Sequence, residues 1–381
     1  MAVGAQVGDE EVGAGGAPGG GGGGNGGGGA GPNGPGGCLS GWRFFELARK
    51  FHNLNNPVYT LADCTIFILM SLYLDGASLP SPTWMLTGAT CRVAQDLGLH
   101  RPLPPSANTS RTDLEARNRL LWTAFILDQK LSLSLGRPAI FNPNTIEVPL
   151  PGLLDNEGTG CEDDEGENGW GGAERALACF RANVGVCRWV GEVTELRLTE
   201  GGGSADVERL LRIDDRLRSA WAEFPPEFTD PRSREGLEIP ALRPLCNSQH
   251  ARLSLFRSFS DFSTPLSPTF RTFCLSNSII ISKFTAHLLT RSSYHPNFDA
   301  DFAAKTNDLV HIHVFRAATI LLLAYNLKTD SSGAAPQFQN VDFAELDICI
   351  RALKSAAARH PAAGRYFGVF REFCRLFNFE L

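Results

Sequence analysis

No two of the ten cysteines lie within three residues of each other. That spacing excludes metal sites of the C-x2-C kind. Cys64, Cys91, Cys179, Cys274 and Cys349 sit among apolar neighbours and read as small buried hydrophobes of a chain kept reduced. Long apolar runs are also lacking. The longest, "TIFILMSLYL" at 65–74, lies between Asp63 and Asp75 and is far short of the roughly 20 residues a membrane helix needs. The opening "MAVGAQVGDEEVGAGG" has neither the basic nor the apolar region of a secretory signal. We therefore expect a protein that works inside the cell without touching a membrane. The sequon at Asn108 is then a chance match. Positive charge is not in excess, because the formal net charge is -6, so a chain-wide footprint for nucleic acid is missing. Neither a G-x-S-x-G elbow, a G-x-x-x-x-G-K-[ST] loop nor an H-E-x-x-H pair occurs. His311 and His313 form the only close histidine pair. Two residues apart on a helix they diverge by about 200°, so they cannot share a ligand face.

What is present is a helical text. Apolar residues make up 43% of the 381 positions, enough for a sizeable core. Residues 1–37 are almost pure glycine with alanine, proline and asparagine, a composition expected to stay disordered. Beyond them we expect a first helical half at 38–151, an acidic glycine-rich linker at 152–172 and a second helical half at 173–381. Helices are expected at 41–53, 58–74, 84–97, from about 110 to 135, at 173–198 and 206–224, and then over 242–262, 270–289, 309–327, 343–358 and 364–379. Period-two strands joined by Asn-Gly turns are absent, as is a fixed repeat. The fold class is all-α, a multi-helical domain of about ten helices.

The clearest helix follows the loop "RPLPPSANTS". Two overlapping boxes, Ser110-x-x-Asp113 and Thr112-x-x-Glu115, can cap its start, and Gly136 with Pro138 ends it. Trp122 and Phe125 are expected to anchor it in the core. Asp128 lies three turns, about 16 Å, from Arg117 and needs another partner. Arg137 could supply an ion pair by folding back; it could instead contact a ligand, or remain solvated. Upstream, Gly98 suits the left-handed position after a helix end. His100 is expected to cap the last carbonyls there, or to contact a ligand. Asp163, Asp164 and Glu167 spell a D-D-x-x-E of the metal–diphosphate type, but within a glycine-rich loop rather than on a rigid helix.

Taken in order, "TWMLTGATCRVAQDLGLHR", "EARNRLLWTAFILDQKLSLSLGRP" and "IEVPLP" resemble the fungal-specific transcription factor domain. This is the regulatory middle region of fungal zinc binuclear cluster regulators. Its pattern falls on Gly98, His100 and Arg101, then Glu115, Arg117, Arg119, Leu121 and Trp122, then Asp128, then Gly136, Arg137 and Pro138. "WAEFPPEF" at 221–228 and "QHARLSLFR" at 249–257 resemble later segments. Asn118 interrupts the arginine run, and Gln129 stands where arginine is more usual. The resemblance implies an all-α regulatory domain of a nuclear protein acting on RNA polymerase II transcription. It implies partners in the transcription machinery or among co-regulators, and leaves room for a small-molecule effector and a homodimer. It also implies zinc and DNA binding through a six-cysteine module. That module is not in these residues, so no cofactor is expected for them. The chain is accordingly expected to be a truncated product, or one carrying only the regulatory share. Two other classes stay open: an all-α interaction scaffold without effector, and an isoprenoid-type enzyme built on Asp163 and Asp164.

Overall fold

The structure is a computed structural model. It describes residues 41–52, 58–76, 79–104, 108–155, 157, 172–198, 204–222, 251–252, most of 272–285, 309–329, 343–357 and 361–379. The glycine-rich segment 1–37, the D-D-x-x-E acids and most of the stretches at 221–228 and 249–257 lie outside the described residues.

Among the described residues there are nine α-helices with defined bounds and one 3-10 turn, and no strand. They are α1 (Gly41–Phe51), α2 (Leu61–Gly76), α3 (Pro80–Asp96), α4 (Arg111–Leu135), the 3-10 turn Pro143–Thr145, α5 (Gly172–Leu198), α6 (Ser204–Ala222), α7 (Leu309–Thr329), α8 (Phe343–Ala357) and α9 (Pro361–Leu376). Residues 272–285 are helical wherever described. Among the described residues no helix is long and apolar enough to cross a membrane.

Helix starts differ from the sequence expectation where a cap or a proline decides. For α2 the start is Leu61 rather than Val58, because Thr60 and Asp63 form a reciprocal box: the Thr60 N–H donates to Asp63 Oδ2 at 2.9 Å and the Asp63 N–H to Thr60 Oγ1 at 3.3 Å. This satisfies two backbone donors that the first turn leaves orphaned. The helices expected from 84 and 364 begin earlier, each on a proline: α3 on Pro80 and α9 on Pro361. A first-turn proline has no N–H to waste, and its φ is already helical.

The buried residues form two apolar clusters. One gathers α1–α4 with Val184 and Cys187 of α5, around Phe67, Trp122, Phe125 and Phe141. The other gathers α5–α9 with Leu133 of α4, around Val190, Leu210, Leu321 and Phe370. Consecutive helices pack pairwise, α2 on α3, α3 on α4 and α4 on α5. Both α4 and α5 therefore serve the two cores, and a displacement of either is felt in both. The seven described cysteines are buried. Burial pushes the Cys64 thiol up to about 11 and Cys187 up to about 12, which removes the nucleophilic thiolate at neutral pH.

Candidate functional site

Most of the motif residues that the sequence singles out lie on α4 and the turn that follows it. Ser110 caps α4, its hydroxyl accepting the Asp113 N–H at 3.1 Å, so the first of the two overlapping boxes is the one used. Trp122 and Phe125 are fully buried and meet edge to face at 5.4 Å. At the far end Gly136 takes φ +65, and its N–H and that of Arg137 close on the Ser132 carbonyl. The chain then reverses, because Gly136 supplies the left-handed step that a side chain resists.

From Pro138 to Glu157 the returning strap runs antiparallel to α4 and is fastened at successive turns. Ser132 Oγ donates to the Pro138 carbonyl at 3.4 Å and Gln129 Nε2 to the Phe141 carbonyl at 2.9 Å. Asp128 Oδ2 accepts the N–H groups of Ile140 and Phe141 at 2.8 and 2.9 Å. Trp122 Nε1 donates to the Pro149 carbonyl at 2.9 Å. Arg119 Nη2 donates to the Gly152 carbonyl at 2.8 Å, and Glu115 Oε1 accepts the Gly152 N–H at 2.9 Å. Arg111 reaches the Leu153 carbonyl at 3.0 Å and the Asp155 carboxylate at 2.8 Å. From the other side Arg181 of α5 donates to the Pro151 carbonyl at 2.6 Å. Residues 111, 115, 119 and 122 follow steps of four, four and three, which puts them on one stripe of the helix.

Arg119 is the centre of this clasp. Its Nε bonds Glu115 at 2.7 Å while Nη1 and Nη2 grip both oxygens of Glu157 at 2.6 and 2.7 Å. Such a bidentate charge-assisted pair fixes geometry as well as energy. The Arg119 hydrogen bonds, with one from the Leu154 N–H, hold the Glu157 carboxyl down at about 2. It stays charged across the physiological range.

Asp128 is different. It is 3% exposed, and desolvation pushes its carboxyl up to about 6 against the two backbone donors and the more distant Arg92. The expected ion pair with Arg137 does not form. Arg137 lies instead over the Trp84 ring, 4.4 Å from its centroid. Two backbone N–H groups already reach Asp128 from the strap, and the Gly136 step carries Arg137 toward α3. Asp128 is thus an anchor for the returning backbone, a role its spacing to any charged residue could not reveal.

The capping role expected of His100 belongs to another residue. Gly98 does take the left-handed position, at φ +64, with the N–H groups of Gly98 and Leu99 closing on the carbonyls of Gln95 and Ala94. The remaining Leu97 carbonyl accepts from Arg117 Nη2 at 3.1 Å, so α4 caps α3. The His100 ring has its Nδ1 buried without a hydrogen bond among the described residues, while its carbonyl accepts the Glu147 N–H at 3.0 Å. Arg101 is exposed. His313 is buried and held well below the usual histidine range by desolvation; the side chain of His311 is outside the described residues. Among the described residues no group of three His, Cys, Asp or Glu side chains could hold a metal ion. The single buried thiols do not fit the zinc that the resemblance implies for a separate module.

Residues 40–168 match the fungal specific transcription factor domain. An uncharacterized transcriptional regulatory protein of Schizosaccharomyces pombe is 30% identical over 173 residues, 44% of this chain and 21% of that protein. A lactose regulatory protein of Kluyveromyces lactis is 38% identical over 91 residues, 23% of this chain and 10% of that protein. The nitrogen assimilation transcription factor nirA of Emericella nidulans is 26% identical over 241 residues, 60% of this chain and 27% of that protein. The chain therefore spans only a minor part of the length of these curated relatives. No solved structure matches the chain. The matched span contains the whole of α1–α4 and the strap, and with its relatives named as fungal transcription regulators, residues 40–168 of this chain carry a fungal specific transcription factor domain.

Proposed function

We propose that this chain is the regulatory region of a fungal transcription regulator that acts in the nucleus on RNA polymerase II transcription. The observation that carries this reading is the match of residues 40–168, whose motif residues are the fastenings of one scaffold rather than scattered surface groups. Glu115, Arg119, Trp122 and Asp128 all hold the strap. A rigid scaffold of this kind suits a region that presents or masks a surface for co-regulators and, in response to a small effector, changes that presentation. DNA binding and zinc belong to a separate module of the regulator, and that module would give the homodimer its register on DNA.

The test is to fuse the full chain to an unrelated DNA-binding module and to measure a reporter carrying that module's sites in a fungal host. The fusion changes reporter transcription relative to the module alone. Equal transcription from both overturns the reading. The chain without a fused module, with its net charge of -6, shows no salt-sensitive binding to duplex DNA.

A further inference from the structure

The strap divides in two by the way it is held. Up to residue 148 it is fastened through the core, with Phe141 and Val148 3% and 8% exposed. From 149 to 157 only Pro151 is buried among the described residues, and Leu150 is 37% exposed. This second part is held almost wholly by side chains of α4 and α5 reaching its backbone. The carbonyls of Pro149, Pro151, Gly152 and Leu153 accept from Trp122, Arg181, Arg119 and Arg111 respectively. The Gly152 N–H goes to Glu115. Beyond them Arg111 takes the Asp155 carboxylate and Arg119 that of Glu157.

This is how a receptor reads an extended proline-bearing peptide. An aromatic N–H and other donors take the carbonyls that proline leaves free, and specificity comes from a few fixed flanking groups. Recognition of this kind rests on backbone carbonyls, two carboxylates and one buried proline, Pro151, features that another proline-bearing segment can also supply. Arg188, 5.2 Å from the Trp122 ring, adds a further cation on the same wall. We propose that the wall formed by Trp122, Arg111, Arg119 and Arg181 is a peptide-docking groove that residues 149–157 fill in cis. A partner segment of the same chemistry, extended, with two prolines and with carboxylates four and six residues after the second, takes their place in trans. Filled in cis, the groove is autoinhibited, because a tethered segment competes at a millimolar effective concentration.

The experiment uses the full chain and the synthetic peptide EVPLPGLLDNEG, residues 147–158, labelled for fluorescence anisotropy. The Asp155→Ala/Glu157→Ala variant removes the two carboxylates that Arg111 and Arg119 hold, one exposed and one half-buried, and neither belongs to an apolar cluster. It binds the peptide at least ~10-fold more tightly than the unaltered chain, as removal of a millimolar competitor requires. Adding Arg111→Ala and Arg119→Ala abolishes that gain. Hydrogen exchange at the Gly152 amide, faster in the double variant, reports release independently of binding. The proposal is overturned if the double variant binds no more tightly than the unaltered chain, if a scrambled peptide of the same composition binds equally, or if Gly152 exchange is unchanged. None of these readouts depends on transcription, so the docking site and the regulatory reading stand or fall separately.

Discussion

Replacing Asp128 by asparagine tests whether burial or hydrogen bonding governs this carboxylate. Two backbone N–H donors favour the charged form, and two or three such donors can hold an accessible carboxylate below its usual range. Here both donors go to the same oxygen, Oδ2, and the group is almost wholly buried, so desolvation prevails and the carboxyl rises to about 6. The unfolded value is 3.8. A carboxyl whose folded value is raised contributes stability that is fully present below the unfolded value and is lost as pH rises through the folded one. The whole loss is about 3 kcal/mol at 1.36 kcal/mol for each unit, and roughly half of it falls between pH 5.0 and 7.5. The amide introduced by Asp128→Asn would keep an oxygen to accept both N–H groups and would not titrate. The assay is urea unfolding of the unaltered chain and of Asp128→Asn at pH 5.0 and 7.5, followed by circular dichroism. The difference in unfolding free energy, variant minus unaltered, should move in favour of the variant by about 1 kcal/mol between those pH values. Comparing the two proteins cancels the titration of every other carboxylate. A difference that stays flat, or moves the other way, would refute burial as the dominant influence and assign control to the two N–H donors.

Two further substitutions address the turn that starts the strap. Arg137→Ala removes a stacking contact with Trp84 and strands no buried charge, so it should cost about 0.5–1 kcal/mol by chemical denaturation. A loss of about 3–5 kcal/mol, the signature of a broken buried ion pair, would show that Arg137 engages Asp128 after all. Gly136→Ala places a Cβ at φ +65 and should cost about 1–2 kcal/mol. A neutral result by the same measurement would mean that the chain can reverse at this point without a left-handed residue.

Helices were legible because their signals are local. The Ser110 box, the steps of three and four along residues 111–135, and the glycines at 98 and 136 each act within a few residues of themselves. The same held for the burial of Trp122 and Phe125. Long-range partners were not legible. Spacing could show that Arg117 is too far away to pair with Asp128, but not that the partners of Asp128 are backbone N–H groups twelve and thirteen residues on. A backbone donor leaves no mark in residue identity. The exchange of roles between His100 and Arg117 has the same origin. The sequence places a histidine beside the end of α3, whereas the donor that reaches the Leu97 carbonyl comes from α4, twenty residues away.

The stripe of Arg111, Glu115, Arg119 and Trp122 lies between these cases. Glu115, Arg119 and Trp122 stood out only through the resemblance and Arg111 did not, and spacing alone cannot say whether a polar stripe faces water or another segment. What settles the matter is the proline-punctuated stretch after α4. Pro149 and Pro151 withhold their own N–H groups, so that stretch offers more acceptors than donors. A helix stripe rich in arginine and carrying an indole N–H offers the reverse. The carbonyls of residues 149, 151, 152 and 153 all find donors on α4 or α5. The complementarity is one of donor and acceptor count between two segments, and it joins the motif before Gly136 to the prolines after it in a single functional unit.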